Sequence, residues 1–204
     1  MKVDLRQVLL YNLFSYIGGN MKSEKKTIFN ICASGIFLAL ALVLPFFTGQ
    51  IPSIGSMILP MHLPIIICGF VIGWPYGLVI GFCAPLLRHV MFGMPPIFPT
   101  GIAMSFELAT YGFVSGIIYK LLQKTKMNNW LVMYLTLIIA MLIGRVIWGI
   151  TMYFIALGNS NVSFGFKAFL SGAFIKAWPG ILIQLLIVPP IVFAKINNTE
   201  VDTL

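Results

Sequence analysis

Six apolar runs, separated by short breaks rich in proline, glycine or lysine, dominate this sequence. They cover residues 27–48, 61–74, 76–92, 100–122, 130–157 and 169–194. A helix needs about 20 mainly apolar residues to cross a bilayer. The pattern therefore predicts an all-α integral membrane bundle of six transmembrane helices. Because the second and third runs are short and are separated only by Trp74 and Pro75, one broken helix is the alternative for that region.

Composition excludes an ordinary soluble domain. Of the 204 residues, 59% are hydrophobic and only 9% are charged, against roughly a quarter charged in soluble proteins. The formal charge of +8 does not indicate a nucleic-acid partner, because the cations cluster at the ends of apolar runs. The three cysteines lie inside apolar runs without CxxC spacing, so we expect packing rather than a disulfide or a metal site.

The distribution of lysines predicts the orientation in the membrane. The six-span arrangement places seven loop lysines on one side and only Lys167 in the loops of the other. The seven are Lys22, Lys25, Lys26, Lys120, Lys124, Lys126 and Lys195. The positive-inside rule then places both termini in the cytoplasm.

The first residues differ from the rest of the chain. Residues 1–21 lack the apolar core and cleavage site of a signal peptide, and Met21 directly precedes a lysine-rich start. We therefore expect 1–21 to be a non-native or leader extension. A single transmembrane domain is expected over 22–196, followed by a short cytoplasmic tail over 197–204.

Ionisable residues inside spans are costly and usually face a protein interior or a wet cavity. Here they are Arg88 and its neighbour His89, Glu107, Arg145 and Lys176. From the helical rise, Glu107 and Lys176 lie roughly 12 Å below the outer loops and Arg145 roughly 18 Å. Three cations face one carboxylate, so an anionic ligand would supply the missing negative charge. The structural alternative pairs Glu107 with Arg145 or Lys176 and extends Arg88 to the headgroups.

Aromatic and amide side chains accompany these charges and complete the predicted substrate site. They are Tyr111, Trp148, Asn159, Trp178 and Gln184. Small ligands are commonly held by aromatic walls and a few polar groups, although the two tryptophans would serve equally well in packing or against lipid.

The motifs of catalysis are missing from the sequence. It contains no Walker loop, HExxH or GxSxG motif, and His62 and His89 lack the spacing of metal ligands. We therefore predict a non-catalytic protein without cofactor or metal. Any ATP hydrolysis that drives transport must come from other subunits.

The first span carries a different signal. Gly35 and Ala39 are four residues apart and share one helix face, where small side chains let another helix approach closely. Packing within the chain would explain the pair equally well.

Together these features resemble the S components of energy-coupling factor (ECF) transporters, the vitamin-binding subunits of bacterial importers. The resemblance covers Lys22 to Lys195. It rests on the small-residue face of span one, on LPMHLPIIICGFVIGWPYGLVIGFCAPLLR from Leu59 to Arg88, and on GMPPIFPTGIAMSFELATYGFVSGIIYKLL from Gly93 to Leu122.

The resemblance implies a bacterial cell membrane and three partners, a transmembrane coupling subunit and two cytoplasmic ATPases. It also implies that span one docks the coupling subunit, with Gly35 in place of the family's first alanine. The vitamin would lie among spans four to six beneath a loop corresponding to Gln50–Pro60. The surplus of cations makes pantothenate our first choice, with riboflavin or a pyridoxine-type ligand next. A structural membrane protein without ligand and a self-sufficient secondary transporter are the rival interpretations.

Overall fold

The computed structural model describes residues 5–48, 57–159, 162 and 164–201, with side chains described over 24–47, 57–159, 162 and 164–194. These residues are almost entirely helical and include no β-strand. The helices are α1 (Leu5–Val43), α2 (His62–Val71), α3 (Trp74–Phe92), α4 (Ile102–Leu122), α5 (Asn129–Gly158), α6 (Phe166–Leu170) and α7 (Trp178–Val201). Short irregular helical turns extend α1 over Leu44–Thr48, precede α4 over Ile97–Gly101 and join α6 to α7 over Ser171–Ile175.

Five segments of the described chain are long and apolar enough to cross a membrane. They are Glu24–Phe47, Trp74–Phe92, Ile97–Leu122, Asn129–Gly158 and Phe166–Ala194. The predicted helical membrane bundle is therefore confirmed. The second predicted span is instead the 10-residue helix α2, which extends only about 15 Å.

Helix α2 lies inside the protein, with eight of its 10 residues buried. Ile66 and Phe70 pack into one apolar cluster with residues of α4, α5 and α7. Ile65 and Cys68 pack into a second cluster with Ala41 of α1 and residues of α3 and α4. A helix that is apolar on all sides is stable when other helices surround it. Burial thus explains how so short a helix can exist within the bundle.

The boundary between α2 and α3 excludes the alternative of one broken helix. Gly73 has φ 123°, a conformation that side chains with a Cβ rarely adopt, and it directly precedes α3. Pro75 follows within the first turn of α3, where its missing N–H costs nothing. The two apolar runs therefore form two separate helices.

Glycines bring α3 and α4 into close contact. A Cβ added to Gly77 would lie 2.7 Å from the Gly112 carbonyl oxygen, and one added to Gly81 would meet the backbone of Leu108. Only hydrogen side chains permit this backbone approach. The contact fixes the position of Glu107, which directly precedes Leu108 in α4.

The chain divides into two compact units, Met1–Ala33 and Ser34–Leu204. The described part of the first is the beginning of α1, and the second contains the helices discussed below. The predicted extension over 1–21 and the tail over 197–204 remain predictions. Most of the predicted covering loop also lies outside the described residues, since the description resumes at Met57.

Candidate functional site

Glu107 is the centre of a buried polar cluster formed by α2, α4 and α5. Its Oε1 lies 2.8 Å from Nη1 of Arg145, accepts a hydrogen bond from the Tyr111 hydroxyl at 3.1 Å, and lies 3.6 Å from Nε2 of His62. Glu107 is only 2% exposed and Arg145 only 5%. Of the predicted site residues, the structure thus brings Glu107, Tyr111 and Arg145 together.

Local helix geometry explains the arrangement. Tyr111 follows Glu107 by one turn of α4, so both side chains project from the same face. Gly144 of α5 leaves room for the Tyr111 ring, because a Cβ there would lie 2.5 Å from it. His62 is the first residue of α2, and its ring centroid lies 5.3 Å from that of Tyr111. These contacts hold the Tyr111 ring beside Glu107 and His62.

Several polar atoms of the cluster have no hydrogen-bond partner among the described residues. They include Nε and Nη2 of Arg145 and both ring nitrogens of His62. Nε and Nη2 form one edge of the planar guanidinium, which presents two nearly parallel N–H groups. Since buried donors are nearly always hydrogen-bonded in proteins, this edge requires a partner such as a water, an ion or a ligand.

Gln184 of α7 adds a further unpaired group. It is 1% exposed, and neither its amide oxygen nor its nitrogen has a partner among the described residues. One turn earlier on the same face, a Cβ on Gly180 would meet the Met57 and Ile58 carbonyl oxygens. One turn later, Val188 shares an apolar cluster with Ile66. This register indicates that Gln184 lies at the level of His62.

Arg88 lies in different surroundings. Its guanidinium donates a hydrogen bond to the Leu42 carbonyl and lies 5.1 Å and 5.5 Å from the ring centroids of Phe46 and Phe92. Leu42 is near the C-terminus of α1, where backbone carbonyls lack helical partners. Arg88 therefore joins the end of α1 to α3, and it is buried rather than extended towards headgroups.

The other predicted site residues lie outside the Glu107 cluster. Lys176 and Trp178 are exposed at the start of α7, and Asn159 is the residue that ends α5. Trp148 packs edge-on against Phe164 at 5.6 Å and stacks with Phe169 at 6.4 Å. The structure does not bring these side chains, or Arg88, into contact with Glu107.

Sequence reasoning missed His62 as a member of the site. The sequence was searched for metal ligands, and the spacing between His62 and His89 did not fit that role. The available signal was the one used for Glu107 and Arg145, an ionisable residue inside an apolar run. His62 occupies the second position of the run that begins at residue 61.

The fold and the buried cluster define a class, a helical membrane protein with an interior polar site and no catalytic motif in its sequence. The family model for the ECF transporter substrate-specific component matches residues 12–192. The chain therefore belongs to this family. No curated protein and no solved structure gave a significant match. Membership makes it a multi-pass membrane protein that captures a small-molecule substrate for an ECF transporter.

Proposed function

We propose that this chain captures an anionic vitamin outside the cell and delivers it through an ATP-driven ECF transporter, with pantothenate as the first candidate. The proposed partners are the transmembrane coupling subunit and two cytoplasmic ATPases. ATP hydrolysis belongs to those ATPases, and this chain contributes binding alone.

The observation that carries the proposal is the free edge of Arg145. Nε and Nη2 are buried and have no partner among the described residues. A carboxylate places two oxygens at the spacing of these two N–H groups and accepts a pair of charge-assisted hydrogen bonds. Arg145 thus offers a bidentate carboxylate site beside its contact with Glu107.

The three cations named above have different partners or surroundings in the structure. Arg145 pairs with Glu107, Arg88 binds a backbone carbonyl, and Lys176 is exposed. Three cations therefore do not converge on one ligand. The preference for an anion is supported by the donor geometry of Arg145 rather than by a local surplus of positive charge.

Pantothenate matches the remaining unpaired groups. It combines a carboxylate with an amide and two hydroxyl groups, which both donate and accept hydrogen bonds. Gln184 offers one unpaired acceptor and an unpaired amide nitrogen in the same interior. We propose that Arg145 binds the carboxylate and that Gln184 binds the amide or a hydroxyl. We propose that the path of the ligand from outside to Arg145 is lined by Lys176, Trp148, Trp178 and Asn159. Arg88 is proposed as a less direct contact of the ligand.

The test is to identify the small molecule that accompanies the purified protein. The protein is expressed in rich medium and purified in detergent, and the molecules released by denaturation are identified by mass spectrometry. We expect pantothenate, in large excess over the amount released from the Arg145→Met and Glu107→Gln double variant prepared in parallel. Riboflavin or a pyridoxine-type vitamin would overturn the choice of ligand and leave vitamin capture standing. Release of no vitamin from the parent protein would favour a structural role and contradict the proposal.

A further inference from the structure

The charges of the cluster balance before a ligand arrives. Glu107 carries one negative charge and Arg145 one positive charge, and their side chains are in contact. His62 lies beside the same carboxylate oxygen, 3.6 Å away and 1% exposed. With neutral His62, the net charge of the cluster is zero. Binding a carboxylate at Arg145 would leave one uncompensated negative charge in the protein interior, where such a charge is costly.

We propose that His62 takes up one proton when the anion binds, so that anion capture is coupled to proton uptake. This inference rests on the proposed function, because it needs an anionic ligand at Arg145. One ligand anion and one proton enter together, and the net charge of the cluster stays at zero. The proton comes from bulk water, with no bond to the ligand formed or broken.

His62 is the proposed proton acceptor because the other groups around it are already paired or do not take up a proton in this pH range. From α4 these are Glu107, already paired with Arg145, and Tyr111, whose hydroxyl donates to Glu107. From α5 the facing group is Arg145 itself, and the register of α7 places the uncharged Gln184 at the level of His62. Imidazole is the side chain whose ordinary titration falls between about pH 5 and 8.

The hydrogen-bonding capacity of His62 fits this role. Both ring nitrogens are buried without a partner among the described residues. Imidazolium donates from both nitrogens, so one N–H can approach Glu107 and the other can face the polar interior that receives the ligand. Protonation thereby satisfies two buried groups while it balances the incoming charge.

The proposed coupling predicts the direction in which binding affinity changes with pH. When binding takes up one proton, affinity falls about tenfold for each unit that pH rises, over the range in which His62 is neutral in the free protein and protonated in the complex and the ligand is ionised. At a fixed pH, the heat of binding also depends on the ionisation enthalpy of the buffer, because the buffer supplies the proton. The slope of that dependence is the number of protons bound.

The experiment is calorimetric titration of the purified protein with pantothenate in phosphate and in Tris, at about pH 8, where an ordinary histidine is mostly neutral. We expect about one proton per ligand for the parent and for His89→Gln, and almost none for His62→Gln. His89 is the control because it lies outside the cluster and contacts the Pro95 carbonyl.

A parent value near zero overturns the coupling even if His62→Gln does not fold. Uptake that persists in a folded His62→Gln variant assigns the proton to another group and also overturns it. If pantothenate does not bind the parent protein at any pH, the choice of ligand in the proposed function is what fails. Tight binding without proton uptake rejects the coupling alone.

Discussion

Replacing Arg145 with Met is expected to weaken pantothenate binding by roughly thirtyfold or more, about 2 kcal/mol, because two charge-assisted hydrogen bonds are lost. Methionine keeps much of the apolar stem and removes the guanidinium. The single variant also leaves Glu107 buried without its cation, a change that typically costs about 3–5 kcal/mol in stability. Weak binding by this variant alone would therefore not separate recognition from folding.

A double variant separates the two effects. Arg145→Met combined with Glu107→Gln removes both charges and keeps an oxygen that accepts the Tyr111 hydrogen bond. We expect it to be more stable to heating than the single variant and still to bind poorly, as measured by calorimetry on monodisperse protein. Lys120→Met is the matched control, since it removes an exposed cation at the end of α4, outside the proposed site, and its affinity should change less than about threefold. A folded double variant that binds as tightly as the parent would remove Arg145 from the site.

Gly35→Leu and Ala39→Leu are each expected to abolish vitamin uptake and to leave vitamin binding unchanged. Within the part of α1 that follows Ala33, Phe37, Leu38 and Ala41 pack into the bundle, whereas Gly35 and Ala39 are exposed. A Cβ on Gly35 meets nothing within 4 Å. Leucine at either position therefore leaves the bundle intact and would hold a docked coupling helix away.

Uptake of labelled vitamin into proteoliposomes containing the complete transporter checks this result, with binding measured on the isolated subunit. Gly158→Leu is the control, because it also adds a leucine side chain at a glycine that faces open space. It should transport at the parent rate. Normal uptake by both α1 variants would exclude this face of α1 from docking.

The helix positions were predictable where strong local signals end the apolar runs. The run over 130–157 became α5, Asn129–Gly158, which begins after Asn128 accepts a hydrogen bond from the Trp130 amide. The run over 61–74 instead became the shorter helix α2. An apolar run does not distinguish a membrane-crossing helix from a short helix buried among others. That distinction depends on the packing of the five helices that surround α2.

The depth of the site residues in the membrane was predictable from the sequence. The direction in which their side chains point was not. Helical rise placed Glu107 and Arg145 in the same half of the membrane, and their pairing was one of the alternatives considered. Which cation faces the carboxylate depends on how each helix is rotated, which spacing along one chain does not determine. The bond from Arg88 to the Leu42 carbonyl joins residues 46 positions apart, and no local pattern marks it.

The most direct test of an anion site at Arg145 compares pantothenate with its neutral primary amide in calorimetric titrations of the parent protein. The two ligands differ only at the group proposed to meet Nε and Nη2. We predict that the acid binds at least thirtyfold more tightly, about 2 kcal/mol, and that this difference disappears in the Arg145→Met and Glu107→Gln double variant. Equal affinity of the parent for the acid and the amide, or binding of neither, would contradict the account.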